Sequence, residues 1–226
     1  MKFQIDSFRF SFFTIPLLAL FLPSTALPEE PYMSFFEKAR NLDQEEFLED
    51  AENYWLKTLE ANPPENIILY TKLKLTHTNF RLGNLKEAFR ISKSLTGTHP
   101  NHYDSWFHFA YVLASLKKYP QAVEAFKNTT ALRPQEGLGW FGLALAYFGA
   151  GKPDSAIEEL KEAMKIFKSN KNISWYRDCR LAINQIKGFA RFPKNFSELW
   201  LGKNFKRVQD TYLNTVLDLD LLLEKY

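Results

Sequence analysis

The chain has 226 residues, of which 46% are hydrophobic, 24% charged and 16% aromatic. That is enough apolar material for a packed core in one domain or two small ones, and too much for a disordered chain. The formal charge of +3 gives no electrostatic case for nucleic acid as a partner, and the single cysteine excludes an intramolecular disulfide framework and a cysteine-built zinc cluster.

Residues 1–26 read as an address. Lys2 and Arg9 outweigh Asp6, Phe10 to Leu22 is almost wholly apolar, and Pro23 breaks the run. Ser24 and Ala26 then place small residues three before and immediately before a cut. These are the parts of a secretory signal, cleaved after Ala26, and the run is shorter than the roughly 18 residues a membrane span needs. Leu27 to Tyr226 is then expected outside the cytosol, in the periplasm or cell envelope or secreted. Pro16 and Asp6 fit that pattern less well, so an uncleaved anchor is the alternative.

Residues 27–68 are expected to form an N-terminal cap, a helix pair within Ser34 to Ala61 with Trp55 and Leu59 on its apolar face and Pro63-Pro64 ending it. A repeat follows. Pro100 and Pro134, Trp106 and Trp140, Ala110 and Ala144, and Phe126 and Leu160 are each 34 positions apart, and Ala88, Ala122 and Ala156 carry the spacing through three copies. Each copy reads as two amphipathic helices around a polar turn: Gly83-Asn84, then Lys117-Lys118-Tyr119-Pro120, then Gly149 to Asp154. The alanines let paired helices approach closely while Trp, Tyr and Phe fill the spaces between neighbours. The copies span 69–102, 103–136 and 137–168. Residues 169–226 are expected to add a degenerate leading helix with Trp175, Leu181 and Ile183, then capping helices that include Leu213 to Leu223, since a terminal repeat must cover its stacking face.

This pattern resembles the tetratricopeptide repeat, W-x2-L-G-x2-Y, then A-x3-F, then P. The copy from Tyr103 matches with Trp106, Ala122, Phe126 and Pro134, and the copy from Gly137 with Trp140, Leu143, Tyr147 and Ala156. The copy from Leu69 keeps Leu75, Ala88 and Pro100 but has Lys72 where Trp is usual. The resemblance implies an all-α, right-handed superhelical stack of helix-turn-helix hairpins. It also implies a concave groove lined by the first helix of each hairpin, holding a protein or peptide segment. Carried over, the groove residues are Tyr70, Leu73, His77 and Phe80; Asp104, Phe107, Tyr111 and Ala114; Leu138, Phe141, Leu145 and Phe148; and Trp175, Cys179 and Ala182. Phe107, Tyr111, Phe141, Phe148 and Trp175 would be the anchors, rigid aromatics that bury area at modest entropic cost. The family's carboxylate clamp is not expected, because Leu73, His77, His108, Leu138 and Gly142 stand where its polar groups belong. An open groove and one filled by the chain's own C-terminal tail are both compatible with the sequence.

Nothing points to catalysis. There is no phosphate loop, G-x-S-x-G elbow or H-E-x-x-H. His99 and His102 beside Asp104 read as surface residues rather than metal ligands, and Cys179 as a buried inert thiol. No enzyme activity, metal or cofactor is expected. Asn128, Asn172 and Asn195 open glycosylation sequons that matter only in a glycosylating host. Arg191, Lys194, Lys203, Lys206 and Arg207 form a weak basic patch that could meet anionic headgroups. Glu29 to Glu65 carries eleven acidic and three basic residues, whereas Asn66 to Tyr226 carries 14 acidic and 24 basic. The expectation is therefore a protein-interaction scaffold, with head-to-tail self-assembly through oppositely charged ends as the alternative.

Overall fold

The computed structural model describes residues 31–189 and 194–215. The signal segment, Arg191 and the Leu-rich stretch beyond Thr215 lie outside the described residues. Those described form ten α-helices: α1 (Pro31–Gln44), α2 (Leu48–Glu60), α3 (Glu65–Arg81), α4 (Leu85–Thr98), α5 (Tyr103–Ser115), α6 (Tyr119–Leu132), α7 (Gly137–Gly149), α8 (Pro153–Ser169), α9 (Ile173–Gly188) and α10 (Lys194–Thr215). Consecutive helices from α1 to α9 pack against each other as a stack of antiparallel hairpins.

The hairpin turns repeat as strictly as the alanines do. Gly83, Lys117 and Gly151, spaced by 34, all adopt positive φ, at 80°, 56° and 76°. In each, the next N–H reaches back five residues: Asn84 to the Asn79 carbonyl, Lys118 to Leu113, and Lys152 to Tyr147, at 2.8–2.9 Å. This is the Schellman closure, which satisfies a carbonyl left over at the helix end and requires the left-handed region. Glycine adopts it freely; Lys117 does so at a cost. The first helices are anchored alike. The Trp106 indole donates to the Pro100 carbonyl at 2.7 Å and the Trp140 indole to the Pro134 carbonyl at 2.9 Å.

Alanines 88, 110, 122, 144 and 156 are all wholly buried at helix crossings. Gly142 is smaller still for a reason: a Cβ there would stand 2.5 Å from the Phe126 ring. Two principal clusters result. Phe36, Trp55 and Tyr70 join α1, α2 and α3, with ring centroids 5.1–5.9 Å apart. A larger cluster runs from Tyr103 through α9 and includes Trp200, Leu201, Phe205, Val208 and Tyr212 of α10.

The placement of α10 departs from the capping role expected for the C-terminal helices and follows the other course the sequence allows, a tail folded into the groove. It does not pair with α9 along its length to close the end of the stack. It turns back across α7 and α5, on the side formed by the first helices. Its side chains explain this. Leu201, Phe205, Val208 and Tyr212 fall at i, i+4, i+7 and i+11, a single stripe, and all are buried. The inner aromatics of the hairpins are the apolar surface that this stripe meets.

Candidate functional site

The inner face divides into a covered and an open part. In the covered part, Tyr212 stacks on Phe107 with ring centroids 3.8 Å apart, and its hydroxyl donates to Asp104 Oδ1. Asp104 is itself buried, with His102 Nε2 at 3.4 Å and Arg133 at 3.6 Å from its other oxygen. Phe205 lies parallel to Phe126 at 6.3 Å. Trp200 meets Phe148 edge-on at 5.4 Å, and the Arg207 guanidinium lies 4.5 Å over the Trp175 ring. Charged Arg207 also pairs with Asp178.

Several expected groove anchors are therefore interior residues here. Phe107 and Phe141 are 1% exposed, Leu145 is wholly buried, and Trp175 is buried between Phe141, Phe167 and Arg207. Phe148 keeps partial exposure beside Trp200 and Phe189. Of the open and the tail-filled groove that the sequence allows, the filled one is found at Phe107, Phe148 and Trp175, which α10 covers, so the open groove is corrected there; Phe141 packs on Trp175 of α9. Tyr70 departs for another reason. It turns toward Phe36 and Trp55 and belongs to the joint between the first two hairpins. Leu73 likewise packs with Leu69 and Leu95 inside the second hairpin.

The remaining three expected residues stay together. His77, Phe80 and Tyr111 line a cleft of about 790 Å³ between α3, α5 and the C-terminal half of α10. The Phe80 and Tyr111 rings meet edge-to-face, 4.7 Å apart. Ser115, Gln209 and Asn214 add hydrogen-bonding groups to the wall, and Leu213 adds an apolar one. At the rim, Arg81 pairs with Glu46 at 3.2 Å and Lys206 with Asp210 at 2.6 Å. Such exposed pairs contribute at most about 1 kcal/mol and exchange readily for a ligand's charges.

Burial sets the charge state of the cleft. The His77 imidazole is pushed down to about 4, first by burial and then by nearby His108, so it is neutral at pH 7. His108 is lowered by burial as well, and its Nδ1 lies 2.8 Å from the Asp104 carbonyl. Burial raises the Tyr111 phenol, keeping it un-ionised. Behind His77, Lys74 donates to the buried Asp43 carboxylate at 2.6 Å. The cleft thus offers neutral donors and acceptors on an aromatic floor, with paired charges outside.

The α10 wall of this cleft was not legible as a site beforehand. The signal is the helical stripe from Leu201 to Tyr212, which suits an end cap or a groove-filling tail equally. The basic patch also resolves differently. Lys206 lines the cleft, whereas Lys203 and Arg207 face the α9 side, so these three do not form one surface. The Lys194 side chain and Arg191 lie outside the described residues. His99 and His102 take different partners, Glu65 and Asp104, and no three His, Cys, Asp or Glu side chains among the described residues cluster as a metal would need. No helix among the described residues is long and apolar enough to cross a membrane.

A stack of two-helix hairpins repeating every 34 residues defines a helical-repeat scaffold. Residues 107–170 match the tetratricopeptide repeat family, and the 34-residue hairpin repeat around them has the same form. Such scaffolds generally mediate protein–protein contacts and are usually non-catalytic. Superkiller complex protein 3 of Mus musculus is 32% identical over 77 residues, a stretch covering 34% of this chain and 5% of that protein. Among solved structures, MamA protein superposes with a TM-score of 0.59 at 18% identity, covering 84% of this chain and 97% of that one. YrrB, described as a tetratricopeptide repeat protein with an unusual peptide-binding site, gives 0.54 at 18% identity over 61% and 69%. At these identities the likeness shows the fold alone.

Proposed function

We propose that the protein is an exported, non-enzymatic scaffold that holds a partner's polypeptide segment in the cleft of His77, Phe80 and Tyr111, for assembly of an envelope complex. The observation that carries this reading is the division of the inner face. Among the described residues, α10 covers part of that face and leaves an aromatic-floored cleft of about 790 Å³. That volume falls within the range of ligand pockets and takes a few side chains rather than a long helix. An apolar side chain of the segment would sit against the Phe80 and Tyr111 rings. Its backbone groups would meet neutral His77, Ser115 and Gln209, and its flanking charges would exchange with the rim pairs. Export follows from the signal-like segment ending at Ala26, and the mature protein would begin at Leu27.

Site-specific photocrosslinking tests this. Gly202 lines the cleft and is exposed, and a Cβ added there meets no atom within 4 Å, so a benzophenone side chain is placed at 202 and circular dichroism checks that the fold persists. In envelope extracts it should capture a discrete partner that the same label at exposed Lys161 does not, and Phe80→Ala should abolish the capture while helix content persists. Capture that survives Phe80→Ala in a folded protein contradicts the cleft. N-terminal sequencing of the cell-envelope fraction tests export: a chain retained in the cytosol with Met1 present contradicts it.

A further inference from the structure

Among the described residues, the turn of α10 into the inner face leaves α9 without the hairpin partner that every earlier first helix has. The consequence is an exposed stripe, Ile173, Arg177, Leu181 and Asn184, at i, i+4, i+8 and i+11. Three depressions of about 170, 260 and 320 Å³ meet at Leu181, which is 55% exposed. Phe189, Phe196 and Trp200 form their apolar walls. Leu199, nearby in α10, is 73% exposed. The rim is basic: Arg177, Arg180, Lys203 and Arg207, with Asp178 already engaged by Arg207.

The other end of the stack has the opposite character. Residues 31–64 carry eight acidic and three basic side chains, and 171–215 carry nine basic and three acidic, giving net charges of −5 and +6. On the α1–α2 hairpin, Glu49, Asn53, Leu56 and Glu60 fall at i, i+4, i+7 and i+11 and are all exposed. This is an acidic stripe with an apolar residue in it, and Phe47 beside it is 55% exposed. An apolar groove with a basic rim fits an apolar-centred acidic helix, and this chain displays one at its far end.

We propose that the α9–α10 groove around Leu181 is a docking site for the α1–α2 hairpin of a second copy of this chain. The hairpin supplies Leu56 to the apolar floor and Glu49 and Glu60 to the arginines. The contact is heterologous, because pairing two α9 faces would set Arg177 and Arg180 against their like. Each copy then keeps one free groove and one free hairpin, so association propagates end to end. The surface lies apart from the cleft and does not depend on the reading of that site.

Sedimentation of the full chain tests the proposal through two variants that each block one end. Leu181→Asp removes the groove, and Glu49→Lys with Glu60→Lys removes the hairpin; all three positions are exposed, and circular dichroism checks that the fold persists. The unaltered chain should associate with rising concentration, and raising salt from about 0.05 to about 0.5 M should weaken this at least about tenfold. Each variant alone should remain monomeric. Mixed, they should form a one-to-one heterodimer that grows no further, since one brings an intact hairpin and the other an intact groove. A chain monomeric at all concentrations overturns the proposal. So does association that survives Leu181→Asp, or association lost with Leu181→Asp but unaffected by the lysine substitutions, which would be a tail-to-tail dimer.

Discussion

Phe80 and Phe148 occupy the same register of the repeat, two copies apart, as do His77 and Leu145. Phe148 lies against Trp200 and Phe189, and Leu145 is wholly buried. Phe80 and His77 line a cleft and keep partial exposure. Nothing in the repeat itself makes this difference, because the hairpins present equivalent positions to the same side. It comes from α10, whose stripe covers α7 and α5 and whose other side forms only a wall opposite α3. A repeat scaffold therefore does not offer its inner face uniformly. Which positions remain available is decided by a segment outside the repeat.

The largest effect is expected at Tyr212, which joins the covered part through both a ring and a hydroxyl. Tyr212→Ala should cost about 3–5 kcal/mol, read as a lowered denaturation midpoint, because it empties a packed site and leaves the buried Asp104 carboxylate without that donor. Phe80→Ala in the open part should cost clearly less, since the ring is only half buried. Equal costs would contradict the division.

Acid should act next, and through the open part. His77 titrates near 6.5 when unfolded and near 4 when folded, so between these values the unfolded chain binds a proton that the fold excludes. Stability is full above about pH 6.5 and falls as pH approaches 4, by about 3 kcal/mol for this group. His108 is shifted in the same direction. Urea midpoints from pH 7 to 4 should fall less steeply in His77→Gln, and parallel curves would remove His77 from the explanation.

A finer division separates ring from hydroxyl. Tyr212→Phe keeps the stacking on Phe107 and removes the bond to Asp104, and should cost about 1–3 kcal/mol. The smallest effect has the opposite sign. Gly202→Ala places a methyl in open space within a helix and should raise stability by about 0.5–1 kcal/mol, measurable as a higher thermal midpoint. A loss instead would mean that the wall lies closer to α3 than described.

Much of the fold was readable because its causes recur. The spacing of Trp106 and Trp140, and of the alanines, reports close helix crossings that only small residues permit. The turn at Lys117 was located as polar, but its left-handed backbone was not, because lysine gives no sign of a conformation that Gly83 and Gly151 announce. The inner-face register carried over for His77, Phe80 and Tyr111, and failed for Tyr70, which lies where the degenerate first hairpin meets the repeat and follows Phe36 and Trp55 instead. What one sequence could not decide was the destination of an amphipathic helix. The stripe Leu201–Phe205–Val208–Tyr212 is equally suited to an end cap or to a groove, since hydrophobic pattern fixes a face but not the surface it meets. Only the short apolar contacts with Phe107 and Phe148 select the groove.

Whether α10 is a settled part of the inner face can be read by hydrogen exchange on the native chain. Amides of α10 between Trp200 and Tyr212 should be protected to a degree comparable with those of α5 and α7. Exchange of that stretch at nearly the rate of an unfolded peptide, with α5 and α7 still protected, would contradict this and return Phe107 and Phe148 to an open groove.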